Sequence, residues 1–78
     1  LSMQRHTHRS ETWNLVSGNA KLRLIHNDEV VEHDLLSTTV IPKNTWHQGY
    51  NDSNSPAHIV EIWRGESEYL TEEDIERK

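Results

Sequence analysis

Four residues near the start of the chain, Gln4, His6, His8 and Glu11, are of the types that bind metal ions, and they fall within eight positions. Imidazole nitrogen, amide oxygen and carboxylate together suit a borderline divalent ion such as zinc, manganese, iron, cobalt or nickel. Side chains alternate between the two faces of a strand, so a strand over residues 1–8 puts Gln4, His6 and His8 on one wall. Arg9 and Ser10 interrupt it. A second strand over residues 11–16 sets Glu11 on a face with Trp13 and Leu15, and a carboxylate among apolar side chains needs a partner. A site that spans several strands has its geometry fixed by the fold, so one more ligand is expected from far along the chain. His47, just after the turn at Pro42, Lys43 and Asn44, is the best candidate. Taken singly, each of these residues reads as a solvated surface group; their grouping points to a metal.

The rest of the chain must position them, and it reads as short strands separated by turn chemistry. Ser17, Gly18 and Asn19 predict a tight hairpin, because Gly and Asn tolerate positive φ. In residues 20–26, Leu22 and Leu24 share one face and Lys21 and Arg23 the other, which leaves one side wet. Asn27, Asp28 and Glu29 turn the chain into a strand over residues 30–33, and residues 38–41 are rich in β-branched side chains. Strands over residues 46–50 and 57–64 flank a polar loop, and Gly65 stops the last. Thr71, Glu72, Glu73 and Asp74 resemble a capping box opening one helical turn into Ile75, the only helix expected. Short strands at this spacing predict a sandwich or small barrel.

Composition bounds the answer further. A chain of 78 residues with 32% hydrophobic residues, three Trp and no Phe supports one thin core, and burial at this size is marginal without a metal or a second subunit. A homodimer is therefore expected. The net charge of −5, with scattered Lys and Arg, offers no basic stripe and argues against nucleic acid as a partner. No apolar run approaches membrane-spanning length and no segment resembles a signal sequence, so the expectation is a cytoplasmic protein without a membrane partner. Cysteine is absent, which excludes thiolate metal sites and cysteine nucleophiles.

The spacing H-x-H-x-x-E at His6, His8 and Glu11, followed by Gly18, and then Pro42, Asn44, His47 and Asn51, resembles the two motifs of the cupin superfamily. More narrowly, LSMQRHTHRSETW over residues 1–13 is similar to the "LSLQxHxHRxExW" of the cupin domain in type II phosphomannose isomerase/mannose-1-phosphate guanylyltransferase enzymes. The tail, EIWRGESEYLTEEDIER over residues 61–77, resembles the "EVQxGxYLxEDDIxR" that closes the same domain. The resemblance covers nearly the whole chain, and the guanylyltransferase part has no counterpart in it.

This resemblance implies an all-β fold, a small double-sheet jelly-roll (cupin) barrel with a short C-terminal helical turn, as a single domain over residues 1–78. The family has further strands before the first motif, so residues missing ahead of Leu1, or a minimal barrel completed by strand exchange, are expected. The implied function is a metal-dependent, mannose-6-phosphate isomerase-like sugar-phosphate isomerase; the alternative is a non-catalytic metal- and sugar-binding cupin module. One divalent ion is implied, held by His6, Glu11, His47 and either Gln4 or His8. The common cupin spacing and the "LSIQxH" of type I phosphomannose isomerases favour Gln4, which leaves His8 for substrate. His8 and Glu61 are candidates for the general base. Arg9, with Lys43 second, is the candidate for the substrate phosphate. Gln48 and Trp63 stand where the family has Arg and Gln, which removes one phosphate ligand and narrows the pocket. His26, His33 and His58 read as surface residues.

Overall fold

The structure, a computed structural model, describes residues 2–78; Leu1, where the first expected strand begins, lies outside the described residues. Eight strands form two antiparallel sheets: β1 (Gln4–Arg5), β2 (Arg9–Ser17), β3 (Lys21–His26), β4 (Glu29–Asp34), β5 (Thr39–Ile41), β6 (His47–Tyr50), β7 (His58–Gly65) and β8 (Glu76–Arg77). One sheet runs β4-β3-β6-β1-β8 and the other β5-β2-β7. They face each other without closing into a barrel, so the all-β double-sheet architecture holds and the closed barrel does not.

The strand β2 shows how the sequence builds the interior. Arg9, Glu11 and Trp13 are buried, and the alternating Ser10, Thr12 and Asn14 are only partly so. Period-2 patterning thus sends a charged pair and an indole to the same inner face. On β3 the same alternation buries Leu22 at 1% exposure. Trp13, Ala20, Leu22, Leu35 and Ile41 form the core, with Leu15, Leu24, Ala57 and Ile59 packed against it. No helix among the described residues is long and apolar enough to cross a membrane.

Turn chemistry accounts for most connections and corrects one. Asn27 (φ 50°) and Asp28 (φ 62°) both sit in the left-handed region and close the β3–β4 hairpin as a pair of positive-φ residues. Asn44 takes φ 61° in the turn before β6, as its side chain allows. Gly18 also has positive φ, 81°, yet it does not close a hairpin. Both hydrogen-bonding edges of β2 are taken, by β5 and β7, so the chain at Gly18 crosses to the other sheet to begin β3.

Two further expectations move. The strand expected over residues 1–8 is confined to Gln4–Arg5, and Thr7 and His8 form a bend. The helical turn lies at Ser67–Tyr69, earlier than expected. Residues 71–74 instead make a turn, closed by Asp74 N–H donating to the Thr71 carbonyl at 3.3 Å, that leads into β8.

Candidate metal centre and adjoining cavity

Glu11 anchors the site, and at 1% exposure it is among the most buried residues in the molecule. Its neighbours on the inner face of β2 hold it. Arg9 Nε–H donates to Oε2 at 2.8 Å, and Trp13 Nε1–H donates to Oε1 at 2.7 Å. Burial by itself would push this carboxyl up. Hydrogen bonds from His47, Trp13 and Arg9, with His6 nearby, outweigh it and bring Glu11 down to about 2, so the carboxylate is charged at neutral pH.

Two imidazoles approach this carboxylate from the other sheet. His6 follows β1, with Nε2 3.0 Å from Glu11 Oε2. His47 opens β6, with Nε2 3.6 Å from Glu11 Oε1. Both are 3% exposed, and their ring centroids are 5.0 Å apart. The opposite nitrogen of each ring fixes what Nε2 can do. His6 Nδ1 lies 2.7 Å from the Asp74 carbonyl, and His47 Nδ1 lies 2.9 Å from the Thr45 carbonyl. A carbonyl only accepts, so each Nδ1 carries a proton, and in a neutral ring Nε2 is then the nitrogen with the lone pair. Burial pushes the His6 pKa down despite the Asp74 carbonyl and Glu11, which keeps that ring neutral.

His6 and His47 thus turn Nε2 towards the Glu11 carboxylate, with the Arg9 guanidinium beside them. His6, Glu11 and His47 place one ligand atom each within 4.8 Å of the others. Donors about 2.1 Å from one ion stand about 3.0–3.5 Å apart; here His6 Nε2 and His47 Nε2 lie 3.0 and 3.6 Å from different oxygens of Glu11. A backbone carbonyl behind each imidazole is also the usual support of a metal-bound histidine. The donor set could hold one divalent ion.

A cavity of about 190 Å³ opens beside the cluster, lined by Gln4, Arg9, Glu11, Trp13, His47, Glu61, Trp63 and Glu72 among others. Drug-sized sites run to roughly 300–1,000 Å³, so this one suits a small, compact ligand. Gln4 is paired with His47 across β1 and β6, and its amide nitrogen donates to Ser2 Oγ at 3.0 Å. Although Glu61 is exposed by surface area, partial desolvation, then the charge on Glu11, pushes its carboxyl up, the direction expected of a group that must carry and release a proton near neutrality.

The remaining candidates sit differently from expectation. His8 is exposed, stacks on Tyr69 at 4.2 Å between centroids, and lines a separate cavity with Glu68, Glu73 and Asp74. The expected parity with His6 fails because the strand ends at Arg5 and the chain bends at His8. Arg9 reaches the cavity wall but is 4% exposed. Besides Glu11, it donates from Nη1 to the Thr71 carbonyl at 2.9 Å, and Nη2 lies 3.3 Å from His6 Nε2. The guanidinium also packs over the Trp63 ring, 3.5 Å from its centroid. Arg9 is thus first the counter-ion of Glu11. Lys43 lies exposed in the turn before β6, and His26, His33 and His58 are exposed, as expected.

Sequence reasoning put Trp13 on the face of Glu11 and Trp63 at the pocket, but read Thr71 and Asp74 only as part of a helix cap and not as partners of Arg9 and His6. What the shared face did not show was the hydrogen bond from Trp13 Nε1–H to Glu11. Gly65 also matters here. A Cβ at that position would sit 2.5 Å from the His8 carbonyl, so only glycine lets β7 run close against the chain entering β2.

The fold is a small two-sheet β domain whose buried donor set could hold a metal ion, and comparison with known proteins places it more narrowly. The profile described as mannose-6-phosphate isomerase C-terminal matches residues 1–78, and the chain belongs to that family. It is 38% identical over 77 residues to the xanthan biosynthesis protein XanB of Xanthomonas campestris pv. campestris (strain B100), a match covering 99% of this chain and 16% of that protein. It is likewise 38% identical over 77 residues to the alginate biosynthesis protein AlgA of Pseudomonas fluorescens, covering 99% of this chain and 15% of AlgA. A putative mannose-1-phosphate guanylyltransferase of Vibrio cholerae serotype O1 is 37% identical over 76 residues, covering 97% and 16%. The chain thus spans about a sixth of the length of these curated relatives. No solved structure gives a significant match.

Proposed function

We propose that this chain is a metal-dependent sugar-phosphate isomerase domain that interconverts mannose 6-phosphate and fructose 6-phosphate. The observation that carries the proposal is the convergence of His6 Nε2, His47 Nε2 and the Glu11 carboxylate, with both imidazoles held by carbonyls behind them. Gln4 is the better fourth ligand, since it lies across from His47 and lines the cavity, and His8 does neither. Membership in the mannose-6-phosphate isomerase C-terminal family supports the substrate class.

Aldose–ketose isomerisation removes a proton from C2 and returns one to C1, while negative charge builds on the neighbouring oxygens. A divalent ion, when bound, supplies the positive charge that stabilises those oxygens. The chain's own groups do the rest. Glu61, at the cavity wall with its pKa raised, takes and returns the proton. Arg9 and Trp13 keep Glu11 ionised and oriented, and Trp63 packs on Arg9 so that this cation cannot swing away. The N–H groups of Arg9 not engaged by Glu11, Thr71 or His6 are the phosphate contact we assign.

One observation favours a second reading. Arg9 is the only Lys or Arg lining the cavity among the described residues, beside Glu11, Glu61 and Glu72. A cavity so rich in carboxylates suits a neutral sugar held without turnover. A coupled assay on metal-replete protein with mannose 6-phosphate decides between them: turnover that disappears in Glu61→Gln supports the isomerase. Binding of sugars with no turnover above buffer puts the binding module in its place.

We also propose that two copies pair. Val16, Val40, Val60 and Ile62 are exposed on the three-stranded sheet, with exposures from 41% to 65%. Covering such a face supports a small domain with a thin core. Light scattering at micromolar concentration should give the mass of a dimer; a stable monomer would remove this part of the proposal.

A further inference from the structure

Residues 71–74 touch the candidate metal centre and its counter-ion through their backbone. The Thr71 carbonyl accepts from Arg9, and the Asp74 carbonyl accepts from His6 Nδ1. The Asp74 side chain is what holds this turn in place. Its Oδ1 accepts the backbone N–H of Thr7 at 3.0 Å, and its Oδ2 accepts the backbone N–H of His8 at 2.9 Å. One residue therefore clasps the bend that follows His6 with its carboxylate and the imidazole of His6 with its carbonyl.

We propose that Asp74 is a positioning residue for His6: by gripping the Thr7 and His8 amides it sets its own carbonyl where it locks His6 in the Nδ1–H tautomer, with Nε2 aimed at Glu11. This rests on the metal-centre reading above. The chemistry calls for a carboxylate. Two amide N–H groups need two acceptor oxygens, and Asp supplies both on a short side chain. Asn offers one oxygen, and its NH₂ would face the second amide donor to donor. The bend at Thr7 and His8 would then loosen, and the carbonyl would drift from the ring. A neutral imidazole released from that bond can place its proton on Nε2, where it blocks a ligand. His47 takes its support from Thr45, outside the turn, and serves as an internal control.

The test compares the chain with its Asp74→Asn and Asp74→Ala variants by long-range proton–nitrogen NMR and by cobalt(II) titration followed in visible absorption. Wild type should show His6 and His47 each as a single Nδ1–H tautomer. In both variants His6 should populate the other tautomer while His47 stays unchanged, and cobalt affinity should fall by about 10–100-fold, the usual cost of losing an outer partner of a metal ligand. An unchanged His6 tautomer with unchanged affinity would overturn the proposal. So would parallel changes at His6 and His47, which would make Asp74 a general support of the fold. Wild type taking up no cobalt would refute the metal-centre reading itself, and the tautomer of His6 would still decide the role of Asp74.

Discussion

Two cavities differ in the histidine each has in its wall: His47 in the inner one and His8 in the outer one. The outer one is larger, about 470 Å³ against about 190 Å³, and is lined by His8, Tyr69 and several carboxylates. The inner one is where the proposed chemistry lies. In it each carboxylate oxygen of Glu11 has a donor at 2.8 Å or less, and the two nearby imidazoles have their far nitrogens tied to carbonyls. His8 meets a stacked phenol instead. Ligand-type residues and open volume do not make a site. What distinguishes the inner cavity is that its charged and Lewis-basic atoms are buried and oriented by partners that serve them.

The sharpest way to break the contrast is to remove charge from each side. Glu11→Gln keeps the shape and an acceptor for Trp13 but leaves the buried Arg9 cation unpaired, so denaturant unfolding should show a loss of about 3–5 kcal/mol. Glu73→Gln, on the outer cavity, should leave the unfolding midpoint where it was. Equal responses would erase the distinction. The same pairing makes Arg9→Ala a poor probe of phosphate binding alone, since it strips Glu11 of its counter-ion as well as the substrate of a contact.

Acid should act on the inner cavity in two stages. Glu11 is depressed from its ordinary 4.5 to about 2 when folded, so its stabilisation is complete above 4.5 and is lost as pH falls from there towards about 2. His6 is depressed below its ordinary 6.5, so the unfolded chain takes up that proton first and stability begins to fall below 6.5. Metal-free protein followed by thermal melts should therefore lose stability on acidification from near neutrality, with a further decline below 4.5. A melting temperature that stayed flat from pH 7 to about pH 5 would contradict the His6 part.

Much of this architecture was legible from residue order. Alternation along residues 11–16 gave the inner face of β2, the Asn–Asp pair gave the β3–β4 hairpin, and the spacing of the two motifs brought His6, Glu11 and His47 together. What could not be read was long-range hydrogen bonding. Nothing local says that Asp74 will capture the amides of Thr7 and His8, and that capture is what breaks strand parity and sends His8 outward. Gly18 fails as a hairpin residue for a related reason: its φ is as expected, but whether β3 can pair with β2 depends on β5 and β7 having already filled both edges of β2. Arg9 looked like a free cation because sequence shows a charge and not its burial.

The central claim is that the inner cavity holds one divalent ion through His6, Glu11 and His47, and that the outer histidine has no part in it. Elemental analysis of natively purified protein, run beside His6→Ala, His47→Ala and His8→Ala, tests it directly. The account predicts one ion per chain in wild type and His8→Ala, with none in the other two. Those two should also lose the added thermal stability of the bound ion, about 4 kcal/mol where free metal exceeds its dissociation constant roughly a thousandfold. Metal retained in both His6→Ala and His47→Ala, or lost in His8→Ala alone, would contradict it.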